Sequence, residues 1–155
     1  MNEMEFGNIL YKLYHSEVKL EGAAVKDNKN CAELTVNELN LIECIRTLTK
    51  NSEGPTISSI ANELDITRPS TTVAVNKLCA KKMTEKEGSI SDGRSVRVKL
   101  TAKGEKAYST HHAFQNALVK DIRQSMSEEE YKTLTASLTK LKGIFDAKLE
   151  GVSEE

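Results

Sequence analysis

The feature that most constrains the fold is a pair of short helical patterns separated by a three-residue turn. The first pattern covers Ile57–Leu64 and the second Arg68–Lys81, with Asp65-Ile66-Thr67 between them. Thr67 is a suitable N-cap for the second helix, and Pro69 falls in the first turn, where a missing amide hydrogen costs nothing. This spacing predicts a helix-turn-helix. Its expected inward-facing residues are Ile60, Ala61, Leu64, Ile66, Thr71, Val75 and Leu78.

Two short strands are predicted directly after the helix-turn-helix. Residues 96–100 alternate between apolar and basic side chains, which is the period of a half-buried strand, and residues 84–87 form the expected partner strand. The intervening stretch Gly88–Ser95 is rich in turn-forming residues and carries Arg94 near its tip. A strand, a loop and a strand in this position predict a wing.

Helical patterns precede this segment. Apolar residues at helical spacing predict a helix over Phe6–Leu20, followed by a polar loop over Gly22–Cys31. A capping box, in which Thr35 and Glu38 satisfy each other's free amides, begins the next helix, which ends at Asn51–Pro55.

The last third of the chain predicts two long helices. One begins after Thr101, and a second capping box, formed by Ser127 and Glu130, begins the other. The apolar seam of the last helix is nearly a heptad stripe, which favours packing against a partner chain. Its members are Tyr131, Leu134, Leu138, Leu141, Phe145 and Leu149.

Composition excludes several classes of protein. The 155 residues suit one domain, and no apolar run approaches the roughly 20 residues of a membrane span. Met1–Glu5 contains acids and no base, which argues against a secretory signal, and three cysteines without metal-ligand spacing fit a reducing cytoplasm. No nucleophile motif or phosphate loop is found. We therefore expect a cytoplasmic protein that is not an enzyme and needs no cofactor or metal.

The net charge of −1 conceals an uneven distribution. Residues 54–106 carry ten Lys/Arg against six Asp/Glu, whereas the rest of the chain carries 12 against 17. A basic middle between acidic flanks is typical of a nucleic-acid contact region, although a solvated surface without a partner gives the same pattern.

The order of elements resembles the MarR family of bacterial transcriptional regulators over essentially the whole chain. The most specific part is Asp92–Gly104, which resembles the wing signature of the family, an Asp-x-Arg step and a short strand followed by Leu-Thr-x-x-Gly. The resemblance implies a mainly α fold with a small β wing. It also implies homodimers, with a helical dimerisation region over residues 1–34 and 101–155 and a winged helix-turn-helix over residues 35–100.

Two positions depart from the family pattern. Thr71 replaces the usual aliphatic residue of the recognition helix, and Lys82 replaces the usual glycine before the first wing strand. Within the family, Thr71-Thr72 with Asn76-x-Leu78, together with Met126–Glu130, resembles the fatty-acid-synthesis repressors of Gram-positive bacteria.

The recognition helix is expected to enter the major groove of double-stranded DNA, where base edges carry a full donor and acceptor code. Arg68 is expected to read guanine and Asn76 adenine, with Lys77 and Lys81 directed toward phosphates, while Ser70 and Thr72 touch either bases or phosphates. Arg94 is expected to enter the minor groove, oriented by Asp92. The predicted DNA-binding residues are Arg68, Pro69, Ser70, Thr72, Val73, Asn76, Lys77, Asp92 and Arg94.

Three residues are candidates for sensing: Cys31, His111 and His112. Cys31 lies beside basic residues and is the best thiolate candidate, whereas Cys44 and Cys79 are interpreted as packing residues. The family binds small aromatic acids in a crevice that Cys31 and the His111–Phe114 stretch are expected to line.

The sequence therefore predicts a homodimeric repressor that binds an inverted-repeat operator and responds to a small molecule. One alternative is a repressor that senses oxidants at Cys31, or zinc at Cys31, Glu33 and a histidine. A second alternative is a winged helix that contacts protein rather than DNA.

Overall fold

The computed structural model describes residues 2–51, 53–88 and 96–152. Over these residues the fold is mainly α with a small β wing, as the sequence predicts, because all elements but one hairpin are helices. In chain order the elements are α1 (Glu3–Asp27), α2 (Val36–Leu48), α3 (Ile57–Glu63), α4 (Arg68–Ala80), β1 (Thr84–Gly88), β2 (Val96–Leu100), α5 (Ala102–Gln124) and α6 (Glu128–Val152).

The chain divides into two compact units, Met1–Phe114 and Gln115–Glu155. The core of the first unit is almost entirely aliphatic, in keeping with a sequence that has no tryptophan. It draws on α2, both helices of the helix-turn-helix and the sheet, and its buried members are Val25, Cys31, Leu34, Leu39, Leu41, Ile42, Cys44, Ile45, Ile60, Val75, Leu78, Met83, Val98 and Ala107.

Helix α1 is longer than the sequence predicts. The expected polar loop from Gly22 is wrong over its first part, since the helix continues to Asp27. Glu21 and Val25 are buried in this last stretch. Their burial outweighs the roughly 1 kcal/mol by which a glycine such as Gly22 disfavours a helix interior. The loop prediction holds only from Asn28 onward.

Both predicted capping boxes are present. The Thr35 hydroxyl accepts a hydrogen bond from the amide of Glu38 at 3.2 Å, and the Glu38 carboxylate accepts one from the amide of Thr35 at 2.8 Å. Ser127 and Glu130 repeat the arrangement before α6 at 3.3 and 2.8 Å. Each pair satisfies amides that the first helical turn leaves without partners.

The turn between α3 and α4 reverses the chain through Asp65, whose φ is 50°. The amide of Ile66 donates to the carbonyl of Ala61 at 3.0 Å, which closes α3 with the 6→1 bond of a Schellman motif. Thr67 caps α4 as predicted, accepting from the amide of Ser70. The predicted inward set is buried or half-buried except for Ile66, which is 41% exposed because the turn carries it outside the core.

The end of α4 has the same geometry. Lys82 adopts φ 59°, and the amide of Met83 donates to the carbonyl of Leu78 at 2.9 Å. Lys82 therefore occupies the left-handed position at which glycine is preferred. The departure from the family pattern at Lys82 therefore places a residue with a Cβ in a conformation that suits glycine.

The sheet is a two-stranded antiparallel hairpin with Thr84 opposite Leu100 and Gly88 opposite Val96. The chain before α3 lies against β2, where the amide of Val98 donates to the carbonyl of Pro55 at 2.9 Å. A Cβ on Gly54 would lie 1.9 Å from the Val98 carbonyl oxygen, so this close approach requires glycine.

The second unit contains α6 and the end of α5. A groove of about 520 Å³ in this unit has an apolar lining that includes Val119, Ile122, Tyr131, Leu134 and Leu138. No helix in the described ranges is long and apolar enough to span a membrane.

Candidate nucleic-acid interface

The outward face of α4 collects the residues predicted to contact DNA. The opposite face is anchored by Thr71, Val75 and Leu78, all fully buried. Thr71 fits this apolar position because its hydroxyl donates to the carbonyl of Thr67 at 3.0 Å, which satisfies its polar atom inside the helix. The outer face presents Arg68, Pro69, Ser70, Val73, Asn76 and Lys77 as exposed residues, with Thr72 half-buried among them.

The charges on this face are of two kinds. Arg68 and Lys77 form no ion pair within the described part of the chain and keep their charge available for a ligand. Lys81 differs, since its ammonium lies 2.7 Å from the Glu38 carboxylate and donates to the carbonyl of Glu33 at 2.7 Å. The predicted phosphate role of Lys81 is therefore corrected to a structural one, in which it joins the end of α4 to the start of α2.

The pKa of Glu38 is lowered by this arrangement. Burial raises it, but the hydrogen bonds from Lys81 and from the amide of Thr35, with the charge of Lys81, together outweigh burial. Glu38 is thus held as a carboxylate at the junction of α2 and α4.

Sequence reasoning missed Lys86, which reaches the recognition helix from β1. Its ammonium donates to Oδ1 of Asn76 at 2.6 Å, and both side chains are exposed. The alternation of β1 places Lys86 on one side of the strand, but nothing in the sequence indicates that this side faces Asn76.

The basic residues of β2 are paired within the sheet region. Arg97 donates to the carbonyl of Gly54 at 2.9 Å and lies 3.2 Å from the Glu53 carboxylate, while Lys99 lies 2.5 Å from that of Glu87. Asp92 and Arg94, predicted for the wing tip, fall outside the described residues, and their roles stay predictions.

Cys31 is buried rather than presented to solvent. Only 2% of its surface is exposed, its Sγ lies 3.6 Å from the carbonyl oxygen of Ala107, and burial raises the pKa of its thiol. This burial argues against a reactive thiolate at Cys31, the candidate of the redox alternative, since the turn that follows α1 folds this side chain under α5. Burial, followed by the charge of Glu63, raises the pKa of Cys44 to about 11, in line with its interpretation as a packing residue.

The two adjacent histidines have separate environments. His111 is buried, with Nε2 2.7 Å from the buried carboxylate of Glu21 and Nδ1 4.0 Å from that of Glu43. His112 is exposed and stacks on Tyr108 at 5.3 Å between ring centroids. This cluster joins α1, α2 and α5, and sequence reasoning missed it because Glu21 lies 90 residues from His111.

The residues of the zinc alternative are not brought together. Glu33 pairs with Lys103. Within residues 2–51, 53–88 and 96–152, no group of three or more His, Cys, Asp or Glu side chains is arranged to hold a metal ion.

A small cavity lies between α1, the turn that follows it, and α5. Its volume is about 130 Å³, and the predicted crevice residues Cys31, His111 and Phe114 contribute to it. The full lining is Ala24, Val25, Asn28, Cys31, Thr110, His111 and Phe114.

Comparison with known proteins places this geometry in context. Residues 34–104 match the family described as winged helix DNA-binding domain, whereas no curated protein matches the chain. Streptococcus pneumoniae FabT, solved in complex with DNA, is 25% identical with a TM-score of 0.85 over 94% of this chain and 99% of that one.

Two further solved proteins share the fold. The Staphylococcus aureus MepR–DNA complex has a TM-score of 0.75 at 19% identity, covering 94% of this chain and 99% of that one. Apo MarR from Escherichia coli has a TM-score of 0.64 at 19% identity, covering 87% and 95%.

Of these proteins, MepR is a transcription regulator, and FabT and MepR were both solved with DNA. The similarity covers 87–94% of this chain and 95–99% of those chains, and the family match spans α2, the helix-turn-helix, the sheet and the start of α5. The chain therefore has a winged helix DNA-binding domain over residues 34–104 and shares the fold of FabT, MepR and MarR over almost its whole length.

Proposed function

We propose that this protein is a transcription regulator of the MarR family, a repressor that binds an inverted-repeat operator as a homodimer and releases it when a small molecule binds. The observation that carries the proposal is the outer face of α4, where Arg68 and Lys77 are exposed and form no ion pair with any described residue. Such a face offers both a planar guanidinium for base edges and an ammonium for phosphates.

We assign the recognition of DNA bases to the first turns of α4. Arg68 stands at the first position of the helix, next to the cap Thr67, from which a guanidinium reaches the O6 and N7 acceptors of guanine. The Thr72 hydroxyl already donates to the carbonyl of Arg68 at 2.9 Å, so its remaining contribution is acceptance of a hydrogen bond or contact through its methyl group. Lys77, two turns further along, is assigned to phosphate, and Arg94 to the minor groove.

Homodimerisation is supported by apolar side chains that each unit leaves in contact with solvent. On α1 these are Phe6, Ile9 and Leu13, exposed by 46–59%. On α6, Leu138, Phe145 and Leu149 are exposed by 47–62%. Apolar stripes of this kind usually mark a protein interface. We assign residues 1–34 and 101–155 to the dimerisation region and residues 35–100 to the DNA-binding region.

The effector site is assigned to the cavity beside His111. Its volume of about 130 Å³ lies below the roughly 300–1,000 Å³ of drug-sized ligand sites, so the cavity suits a very small ligand or must widen on binding. Because a ligand shifts an equilibrium only by its differential affinity, a hundredfold loss of operator affinity requires about 2.7 kcal/mol of coupling.

The proposal is tested first by selecting binding sites from random duplexes. A dimer with two recognition helices requires half-sites about one helical turn apart, so an inverted repeat of roughly 14–20 base pairs is expected. Arg68→Ala should lower affinity by about 1–3 kcal/mol and relax preference at particular positions, whereas Lys77→Ala should weaken all sequences alike and flatten the salt dependence.

A uniform loss across all sequences for Arg68→Ala would contradict base readout by Arg68 and reassign it to phosphate. DNA regulation itself would be contradicted by retention on heparin without a salt-sensitive shift of any palindromic duplex, which would favour the protein-interaction alternative.

The effector is tested by titrating operator complexes with small aromatic acids, zinc and peroxide, using wild type and Cys31→Ser. Release by an aromatic acid, with indifference to zinc and peroxide, supports the cavity. Release by peroxide that disappears in Cys31→Ser would instead establish the redox alternative, against the burial of that thiol.

A further inference from the structure

The contact between Lys86 and Asn76 joins the wing to the recognition helix. Lys86 stands in β1 and donates to Oδ1 of Asn76 on α4 at 2.6 Å. An ammonium has three donors and no acceptor, so the atom that it faces must be the amide oxygen and not the amide nitrogen. The contact therefore fixes the orientation of an amide that would otherwise turn freely.

Lys86 stands apart from the other basic residues described in the sheet. Arg97 is bonded to Gly54 and Glu53, and Lys99 is paired with Glu87, so both charges are neutralised at the base of the wing. Within the described residues of the sheet, Lys86 is the base that extends to the outer face of α4.

The fixed amide changes what Asn76 offers to a base pair. Adenine is read by an amide that donates to N7 and accepts from the N6 amino group at the same time. In this structure the accepting oxygen lies against an ammonium, and an adenine amino group approaching it would bring a second donor beside that positive charge. Guanine instead presents the acceptors O6 and N7, which suit the amide N–H groups that this orientation leaves free.

We infer that Lys86 orients Asn76 so that its amide donates to guanine in preference to adenine in each half-site, with Lys86 as the positioning residue. This inference rests on the proposed function and replaces the adenine preference expected for Asn76 alone. In water an exposed Lys–Asn hydrogen bond is weak, but exclusion of water at a DNA interface strengthens it.

The test measures affinity for operator duplexes that carry each of the four base pairs at every half-site position. Wild type should prefer guanine over adenine by about tenfold at one position, and Asn76→Ala should abolish that preference. Lys86→Met should shift the same position toward adenine by freeing the amide. The double variant should match Asn76→Ala at that position, because the two residues act as a pair.

Lys82→Met is the matched control, since it removes an exposed lysine near the end of α4 that does not contact Asn76. It should leave the base preference at that position unchanged. The inference is overturned if Lys86→Met behaves in the same way, if Asn76→Ala alters no position, or if wild type prefers adenine there. Absence of any sequence preference in wild type would overturn the proposed function itself.

Discussion

Lys82 holds a backbone conformation that its own Cβ disfavours. The φ of 59° is imposed by the Schellman closure of α4, through the bond from the amide of Met83 to the carbonyl of Leu78. Lys82→Gly should therefore raise the free energy of unfolding by about 1 kcal/mol, measured by urea denaturation at fixed protein concentration. Lys82→Ala, which keeps the Cβ and removes only the charge, should leave stability within about 0.5 kcal/mol. Equal gains for both variants would show that charge, not backbone strain, is responsible.

The carboxylate of Glu38 makes stability depend on pH. Its pKa in the folded state is lowered, so folding favours the charged form, and its contribution is present above the ordinary glutamate range near 4.5 and lost as pH falls through the folded value. Glu38→Gln should be less stable than wild type at pH 7, and the difference in stability should shrink below about pH 4.5. Thermal unfolding at a series of pH values measures this difference. Glu85→Gln, an exposed change on β1, is the control. A Glu38→Gln protein as stable as wild type at pH 7 would contradict the pairing with Lys81.

At the scale of single residues, local chemistry is predictable and distant pairing is not. The capping boxes of α2 and α6 were predicted because their partners are three residues apart. The contacts of Asn76 with Lys86 and of Glu38 with Lys81 join residues 10 and 43 positions apart. Hydrophobic periodicity carries no information about contacts between residues this far apart in sequence. The structural role of Lys81 was missed for this reason.

At the scale of elements, the wing is held against its neighbours by two close backbone approaches that require glycine, one at Gly54 and one at Gly104. A Cβ on Gly104 would lie 2.0 Å from the carbonyl oxygen of Met83. Thr101 fixes the same junction, since its hydroxyl donates to the carbonyl of Lys82 at 2.6 Å and accepts from the amide of Gly104. The Leu-Thr-x-x-Gly pattern at the start of α5 thus has a steric cause as well as a capping one.

Gly104→Ala should consequently destabilise the winged unit, by about 2 kcal/mol or more, because a backbone carbonyl cannot move aside as a flexible side chain does. Gly22→Ala is the matched control: a Cβ there meets nothing within 4 Å, and alanine should stabilise the helix by about 0.5–1 kcal/mol. Thermal unfolding of the two variants measures the contrast. A Gly104→Ala protein as stable as wild type would refute the close approach.

Hydrophobic periodicity predicted which segments are helices and which are strands, but it did not predict where α1 ends. Helix α1 extends past Gly22 because Glu21 meets His111 and Val25 joins the core. Both partners belong to segments that are distant in sequence, and their burial overrides the local preference of glycine. The same burial removed Cys31 from solvent, which composition alone did not indicate.

At the scale of the whole molecule, the surfaces that leave large apolar side chains exposed to solvent are helix faces. The core of the first unit is complete around α2–α4 and the sheet, whereas the first two-thirds of α1 expose Phe6, Ile9 and Leu13. In the second unit the seam of α6 exposes Leu138 and Phe145. Reading two half-sites needs a fixed distance between two recognition helices, so covering these faces in the proposed homodimer would serve DNA binding as well as stability.

We expect the apolar seam of α6 to hold two copies of the chain together. Wild type should scatter light as a dimer of about twice 17.2 kDa at micromolar concentration. Leu138 is 48% exposed in the single chain and lies on the apolar seam of α6. Leu138→Lys would bury an unpaired charge in the interface at a cost of several kcal/mol, and should give monomers that no longer bind the operator. Ser137→Lys, the exposed neighbour about 100° round the helix, should remain dimeric and bind DNA. Monomeric wild type, or a Leu138→Lys protein that stays dimeric on DNA, would show that the α6 seam is not the interface.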